Sequence, residues 1–247
     1  VSAVFGRPDQ MVLALDASTA AASVAVLRGG KVVAARAAAM RGSDAERLMP
    51  AVAEALAAAA VPAGGLTAIV CGGGPGSFTS LRIAGAIAKG LATVWDCPLY
   101  AAPSLALYAA AAAPAPGRWL VTLDAMRGER YAALVTLDAL DTAAGGISAT
   151  GYQYLGVLAP EAVAVRGASP DVTGVLDANG GAPAAVGASA FALGADDGGP
   201  RPGTLALAPV DLALWEPDYG RKAEAQVKWE AQYGRALPAD AAGAVTA

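Results

Sequence analysis

With 247 residues, 55% hydrophobic and 15% charged, the chain is long enough for one large domain or two ordinary ones and too apolar to be disordered as a whole. Its net charge of −4 and pI near 4.8 argue against independent nucleic-acid binding, which needs a basic face to displace counterions. Histidine is absent, which removes the commonest general base, the usual catalytic triad and most transition-metal sites.

In chain order, Met11 to Asp16, Ser23 to Leu27 and Lys31 to Ala35 read as three successive antiparallel strands, with Gly29-Gly30 supplying the second hairpin turn. Ser43-Asp44-Ala45-Glu46 is a capping box that opens a helix. Leu48, Met49, Val52 and Leu56 follow at helical spacing as one apolar stripe, and Pro50 either kinks the helix or marks its first turn.

Leu66 to Cys71 reads as a buried strand, because a short apolar run bounded by glycines fits a parallel-sheet core. Gly72, Gly73, Gly74 and Gly76 then form a turn before a helix from about Ser77 to Trp95. A strand, a glycine turn and a helix N-terminus make an anion cradle in principle. The lysine of a P-loop is missing, however, since Ser77-Phe78-Thr79 stands in its place. On this helix Leu81, Ala84, Ala88, Leu91 and Trp95 share one side. Gly85 and Gly90 each cost about 1 kcal/mol relative to alanine. A closely packed neighbour would offset that cost, either inside the chain or on a partner.

Cys71 and Cys97 lack Cys-x-x-Cys spacing and read as buried reduced thiols. No apolar run approaches the ~18 residues of a membrane span, and Arg7, Asp9 and Asp16 stand where a secretory leader would be apolar. A cytoplasmic protein with no membrane partner is expected.

Ala111 to Gly117 is the clearest linker, dividing a first lobe, 1–113, from a second, 114–247. Just beyond it, Leu120 to Ala125 and Tyr131 to Val135 repeat the opening hairpin. Asp16 aligns without a gap on Asp124, Ala17 on Ala125, Ala25 on Ala133 and Val26 on Leu134, a duplication of about 108 residues. Past Val135 the pattern weakens. Residues 143–146 and 196–200 read as loops, 184–187 as a strand entering a short helix, and Trp215 to Gln232 as a helix. From Pro238 onward a frayed tail is expected.

Several of these segments together resemble the TsaB (YeaZ) family. They are Leu13 to Thr19, Ser43 to Pro50, Gly74 to Ile83 (Gly-Pro-Gly-Ser-Phe-Thr-Ser-Leu-Arg-Ile), Ala88 to Leu91 and Leu123 to Tyr131. The likeness covers the first 135 residues well and the remainder weakly. Gly42 replaces a histidine of many members, and Ser80 a glycine. The resemblance implies an α/β fold of the actin-like ATPase (sugar kinase, Hsp70 and actin) type, with two related lobes of mixed sheet flanked by helices. It also implies a scaffold subunit, without catalytic residues, metal or cofactor. Such a subunit binds and activates a catalytic paralogue, TsaD, in threonylcarbamoylation of the N6 of the adenosine beside the tRNA anticodon. An ATPase, TsaE, docks across that pair, tRNA is met only through the complex, and a homodimer is expected when the chain is alone.

The interface implied by the resemblance lies on the helices at 43–60 and 77–95: Arg47, Leu48, Met49, Val52, Leu56, Leu81, Arg82, Ala84, Gly85, Ala88, Lys89 and Leu91. Phosphate-type turns remain in degenerate form at Asp16, Ser18 and Thr19, at Gly73, Gly74, Gly76 and Ser77, and at Asp124 and Arg127. Asp16 and Asp124 read as turn carboxylates in preference to metal ligands, and Ser18 and Ser77 as turn and cap residues in preference to nucleophiles. A small-molecule kinase of the same fold is the competing reading. It needs one aspartate as base and a competent cradle, which bulky Met126 and Arg127 crowd. A peptidase is disfavoured by the missing histidine.

Overall fold

The computed structural model describes residues 9–40, 47–139, 147–180, 184–193, 204–221 and 224–234. The capping box at 43–46, the loops at 143–146 and 196–200, and the tail from 238 lie outside these residues.

The opening strands are β1 (Met11–Asp16), β2 (Ala21–Arg28) and β3 (Lys31–Ala39). They pair in sequence as an antiparallel meander. Helix α1 (Leu48–Ala58) leads to β4 (Ala68–Gly72), and helix α2 (Phe78–Trp95) to β5 (Leu99–Ala102). β4 joins β1 in parallel and β5 joins β4, giving one five-stranded mixed sheet ordered β3-β2-β1-β4-β5. Pro50 sits in the first turn of α1, where its missing N–H has no intrahelical acceptor to lose.

Helix α3 (Ser104–Ala112) bridges to β6 (Gly117–Asp124), β7 (Arg130–Ala139), β8 (Ile147–Leu158), α4 (Pro160–Gly167) and β9 (Gly174–Asp177). This second sheet is ordered β8-β7-β6-β9, with β6–β7 antiparallel and β6–β9 parallel. The pattern repeats β2-β1-β4, so the duplication read from the sequence is present in the pairing. One correction applies. Asp16 faces Ser23 across its hairpin and Asp124 faces Arg130, so the second loop is one residue shorter and the gapless alignment slips by one on β7.

Apart from its edge strand β3, the first sheet is largely buried on both faces. Leu13, Leu15, Val24, Val26 and Ile69 pack beneath α1 and α2. Val12, Ala14, Ala25 and Val70 face the other way, into a core shared with Val121, Ala133 and Val135 of the second sheet. Between the sheets lie α3, with six of its nine residues buried, and a 3-10 helix (Ala184–Ala190) where a strand was expected. Gly187 lets that 3-10 helix approach α3 so closely that a Cβ would overlap the Leu107 carbonyl. Leu120, Ala132 and Leu134 form a smaller core on the far face of the second sheet.

Past the 3-10 helix the chain returns to the first sheet. After β10 (Ala192–Leu193) and β11 (Ala206–Leu207), Pro209 bridges Tyr100 and the Val210 N–H donates to the Leu99 carbonyl at 2.8 Å, so the free edge of β5 is covered. Helix α5 spans Glu224–Tyr233, and residues 215–221 are irregular, with Gly220 at φ +69°, against the single helix expected from Trp215. These features give an α/β architecture of two mixed sheets flanked by helices.

Candidate functional site

Two regions drew attention in the sequence: the turns at the ends of β1, β4 and β6, and the outer faces of α1 and α2. The first two turns meet. Asp16 closes β1 and is 1% exposed. Its Oδ1 accepts from the Ser18 N–H at 3.0 Å and from the Ser18 hydroxyl at 2.7 Å. Its Oδ2 has no hydrogen-bond partner among the described residues and lies against Gly72, where a Cβ would overlap it. The Thr19 hydroxyl donates to the Ala21 carbonyl at 2.7 Å. Ser77 donates its N–H to the Ser18 carbonyl at 3.0 Å, and a Cβ at Gly76 would collide with Ser18. Gly74, at φ +96°, donates its N–H to the Ser104 hydroxyl at 3.0 Å. The Ser77 hydroxyl is paired with that of Ser80 at 2.9 Å and bonds no helix N–H, so Ser77 occupies the cap position without capping. Burial first, and the Asp16 charge second, hold the neighbouring Cys71 thiol far above its usual range. It is an inert core thiol.

The third turn does not join them. Asp124 shares its strand face with Leu120 and Thr122, away from the core common to both sheets. Its Oδ1 accepts from the Met126 N–H at 2.9 Å. Met126, Arg127 and Gly128 all have positive φ, and Met126 and Arg127 are exposed. Asp124 lines an open depression of about 670 Å³ with Arg127, Arg130, Asp177 and Asn179. Asp177 there is committed to Arg130 at 3.3 Å and to both nitrogens of Asn179, at 2.7 and 3.0 Å. The two aspartates that the repeat aligns therefore face opposite ways, one sealed and one open to solvent. Such an arrangement does not fit a magnesium nucleotide held between lobes.

What the sequence reading missed is the segment lying on the glycine turn. Asp218 donates its N–H to the Gly73 carbonyl at 2.7 Å, and a Cβ at Gly74 would overlap the Asp218 carbonyl. The Tyr219 ring packs on Phe78 at 4.4 Å between centroids. A Cβ at Gly220 would lie 2.6 Å from the Tyr131 ring and 2.7 Å from Pro75. On the second sheet, the Tyr131 hydroxyl donates to the Tyr219 carbonyl at 3.1 Å and Arg221 pairs with Glu129. The sequence cues were Pro217 and Gly220, two breakers close together, which argue against a helix there.

The helix faces need a second correction. Leu48 and Val52 of α1 and Leu81, Ala84, Gly85 and Ala88 of α2 are buried within the chain, because the apolar stripe of each helix turns onto the first sheet and Gly85 is covered by residues 215–217. They are not surface contacts. Gly85 is covered by Pro217 at 3.2 Å and Trp215 at 3.6 Å from its would-be Cβ. Leu56, Lys89 and Leu91 are half-buried, while Arg47, Met49 and Arg82 are exposed. Lys89 lies over the Trp215 ring and Arg82 over the Phe78 ring. The exposed face of α2 carries Ala86, Gly90 and Val94 at four-residue spacing, flanked by half-buried Ile83, Ile87 and Leu91. Val94 is 77% exposed, and no atom of the described residues lies within 4 Å of a Cβ placed on Gly90.

The family described as TsaD, tRNA N6-adenosine threonylcarbamoyltransferase, matches residues 39–171, just over half of the chain. The YeaZ structure from Pseudomonas aeruginosa is 32% identical, over 65% of this chain and 70% of that one, at a TM-score of 0.51. The chain belongs to the TsaB (YeaZ) family. A second Pseudomonas aeruginosa crystal structure is described as an uncharacterized protein with similarity to peptidase YeaZ. It covers 86% of this chain and 100% of its own at 27% identity and a TM-score of 0.62. Two relatives are called tRNA threonylcarbamoyladenosine biosynthesis protein TsaB. That of Bacillus subtilis is 35% identical over 50% of this chain and 54% of its own length, and that of Escherichia coli 36% over 49% and 52%. The chain thus spans about half the length of the curated TsaB relatives it matches. Among the described residues no helix is long and apolar enough to cross a membrane.

Proposed function

We propose that this chain is a non-catalytic cytoplasmic subunit in tRNA threonylcarbamoyladenosine formation. It docks on the catalytic paralogue TsaD through the outer faces of α1 and α2 and holds TsaD in its active form. The paralogue transfers the threonylcarbamoyl group to N6 of the adenosine beside the anticodon, and the ATPase TsaE docks across the pair. The observation that carries the docking reading is Gly90. A mid-helix glycine costs about 1 kcal/mol relative to alanine. Gly85 is accounted for by Pro217 and Trp215, whereas no described residue comes within 4 Å of a Cβ on Gly90. A partner backbone drawn close along the Ala86, Gly90 and Val94 ridge would use that gap, in the manner of ridges packing into grooves. Exposed Met49 and Val94 and half-buried Leu56 and Leu91 supply the apolar area such an interface needs. Arg47 and Arg82 stand at its rim. When TsaD is absent, the same face covers itself by pairing with a second copy. The sealed Asp16 and outward Asp124 speak against the kinase alternative.

The test is calorimetric titration of TsaD with the chain and with a Gly90→Leu, Val94→Glu variant, alongside tRNA modification assays. The variant is expected to melt like the parent and to lose association by about 100-fold or more, with modification falling in step. Unchanged affinity would place the interface elsewhere.

A further inference from the structure

Two open surfaces lie apart from the glycine turn, the outward depression at Asp124 and the apolar groove between β8 and α4. In the depression, Asp177 and Asn179 are engaged with one another and with Arg130 and the Asp124 backbone, leaving no buried group aimed at a ligand. Nothing in the structure says what would cover the groove. Residues 215–221 carry more.

These residues lie across the carboxyl ends of β4 and β6, where open α/β sheets place their ligands. Their contacts are divided between the two sheets. On the first, the Asp218 N–H bonds the Gly73 carbonyl at 2.7 Å and Tyr219 stacks on Phe78. On the second, the Tyr219 carbonyl accepts from the Tyr131 hydroxyl at 3.1 Å and Arg221 pairs with Glu129. Two glycines make this possible. Gly74, at φ +96°, leaves room for the Asp218 carbonyl, and Gly220, at φ +69°, passes between Pro75 and Tyr131. The Asp218 N–H and C=O thus both meet the glycine turn, at Gly73 and Gly74.

We propose that residues 215–221 are a built-in occupant of the cleft mouth, a self-supplied strap that fixes the glycine turn and holds the open ends of the two sheets at one separation. The glycine turn keeps its form for this contact and not for a nucleotide. The strap belongs to the isolated chain, so the idea stands or falls separately from docking on TsaD.

Hydrogen exchange by mass spectrometry on the full chain tests it, with Gly220→Val as the displaced-strap variant. Its side chain meets Tyr131 and Pro75, whereas Gly234→Val is a control at a similar left-handed φ of +62° with no neighbour to strike among the described residues. Exchange in Gly220→Val is expected to rise about tenfold or more at both 72–80 and 124–131, with α3 unchanged and the control like the parent. Spin labels on Thr93→Cys and Glu161→Cys should report one narrow distance in the parent and a broadened one in Gly220→Val. Unchanged protection at the two turns, or rising exchange confined to the strap, would overturn the proposal. Should Gly220→Val fail to fold, Arg221→Ala removes only the Glu129 pairing. Exchange is then expected to rise at 124–131, and an unaltered 124–131 would overturn the proposal equally.

Discussion

Tyr154 illustrates how a single side chain records its surroundings. Its hydroxyl is buried without a hydrogen-bond partner among the described residues. Burial first, and the Asp218 charge second, push the phenol up to about 12, and burial raises its neighbour Tyr152 as well. Because the folded value exceeds the unfolded one of about 10, this contribution to stability is complete below the unfolded value. It is lost as pH rises through the folded one. Thermal melts should therefore fall steeply between about pH 10 and about pH 12, and Tyr154→Phe should shallow that fall. At neutral pH the same substitution should leave the melt unchanged or slightly raised, since no bond is broken and an orphaned polar group is removed. None of this was legible in the sequence, where Tyr152 and Tyr154 fall past Val135 in a stretch read as no strand. Asp16 was legible as a turn carboxylate. Its sealing behind Gly72 was not, because that depends on β4 lying beside β1.

At the scale of elements, the two glycines of α2 make contrasting predictions. Gly90→Ala adds a methyl group to open space and should stabilise the isolated chain by about 1 kcal/mol, read from denaturant melts. Gly85→Ala meets Pro217 at 3.2 Å and should return little or none of that gain. A gain of equal size at both positions would mean that residues 215–217 do not press on the helix. The sequence identified α2 through its breaker-free run from Ser77 and β1 to β3 through alternating turns and apolar runs. It did not identify α3. Ser104 to Ala112 is apolar on every side, as a helix buried all round must be, and so shows no stripe for a periodicity argument to find. The stripes on α1 and α2 were found correctly, but amphipathic pattern alone does not say whether an apolar face meets the chain's own sheet or another molecule's.

For the whole molecule, the telling feature is that one core serves both sheets. Val12, Ala14 and Val70 on one side and Val121, Ala133 and Val135 on the other converge on α3 and the 184–190 helix. Leu107, fully buried at that junction, should cost about 2–5 kcal/mol when replaced by alanine. Calorimetry should show one endotherm moving as a unit, and two separable transitions would contradict a shared core. The duplication was readable from Asp16 and Asp124 at the ends of matched strands. The way its halves fuse was not, because residues 184–190 and 207–221 reach back over long sequence distances to the first sheet. A gene cut at the junction near residue 113 would therefore not yield two stable products. The leading fragment would lack the 184–190 plug and the edging of β5, and the trailing one would expose the underside of β6 and β7.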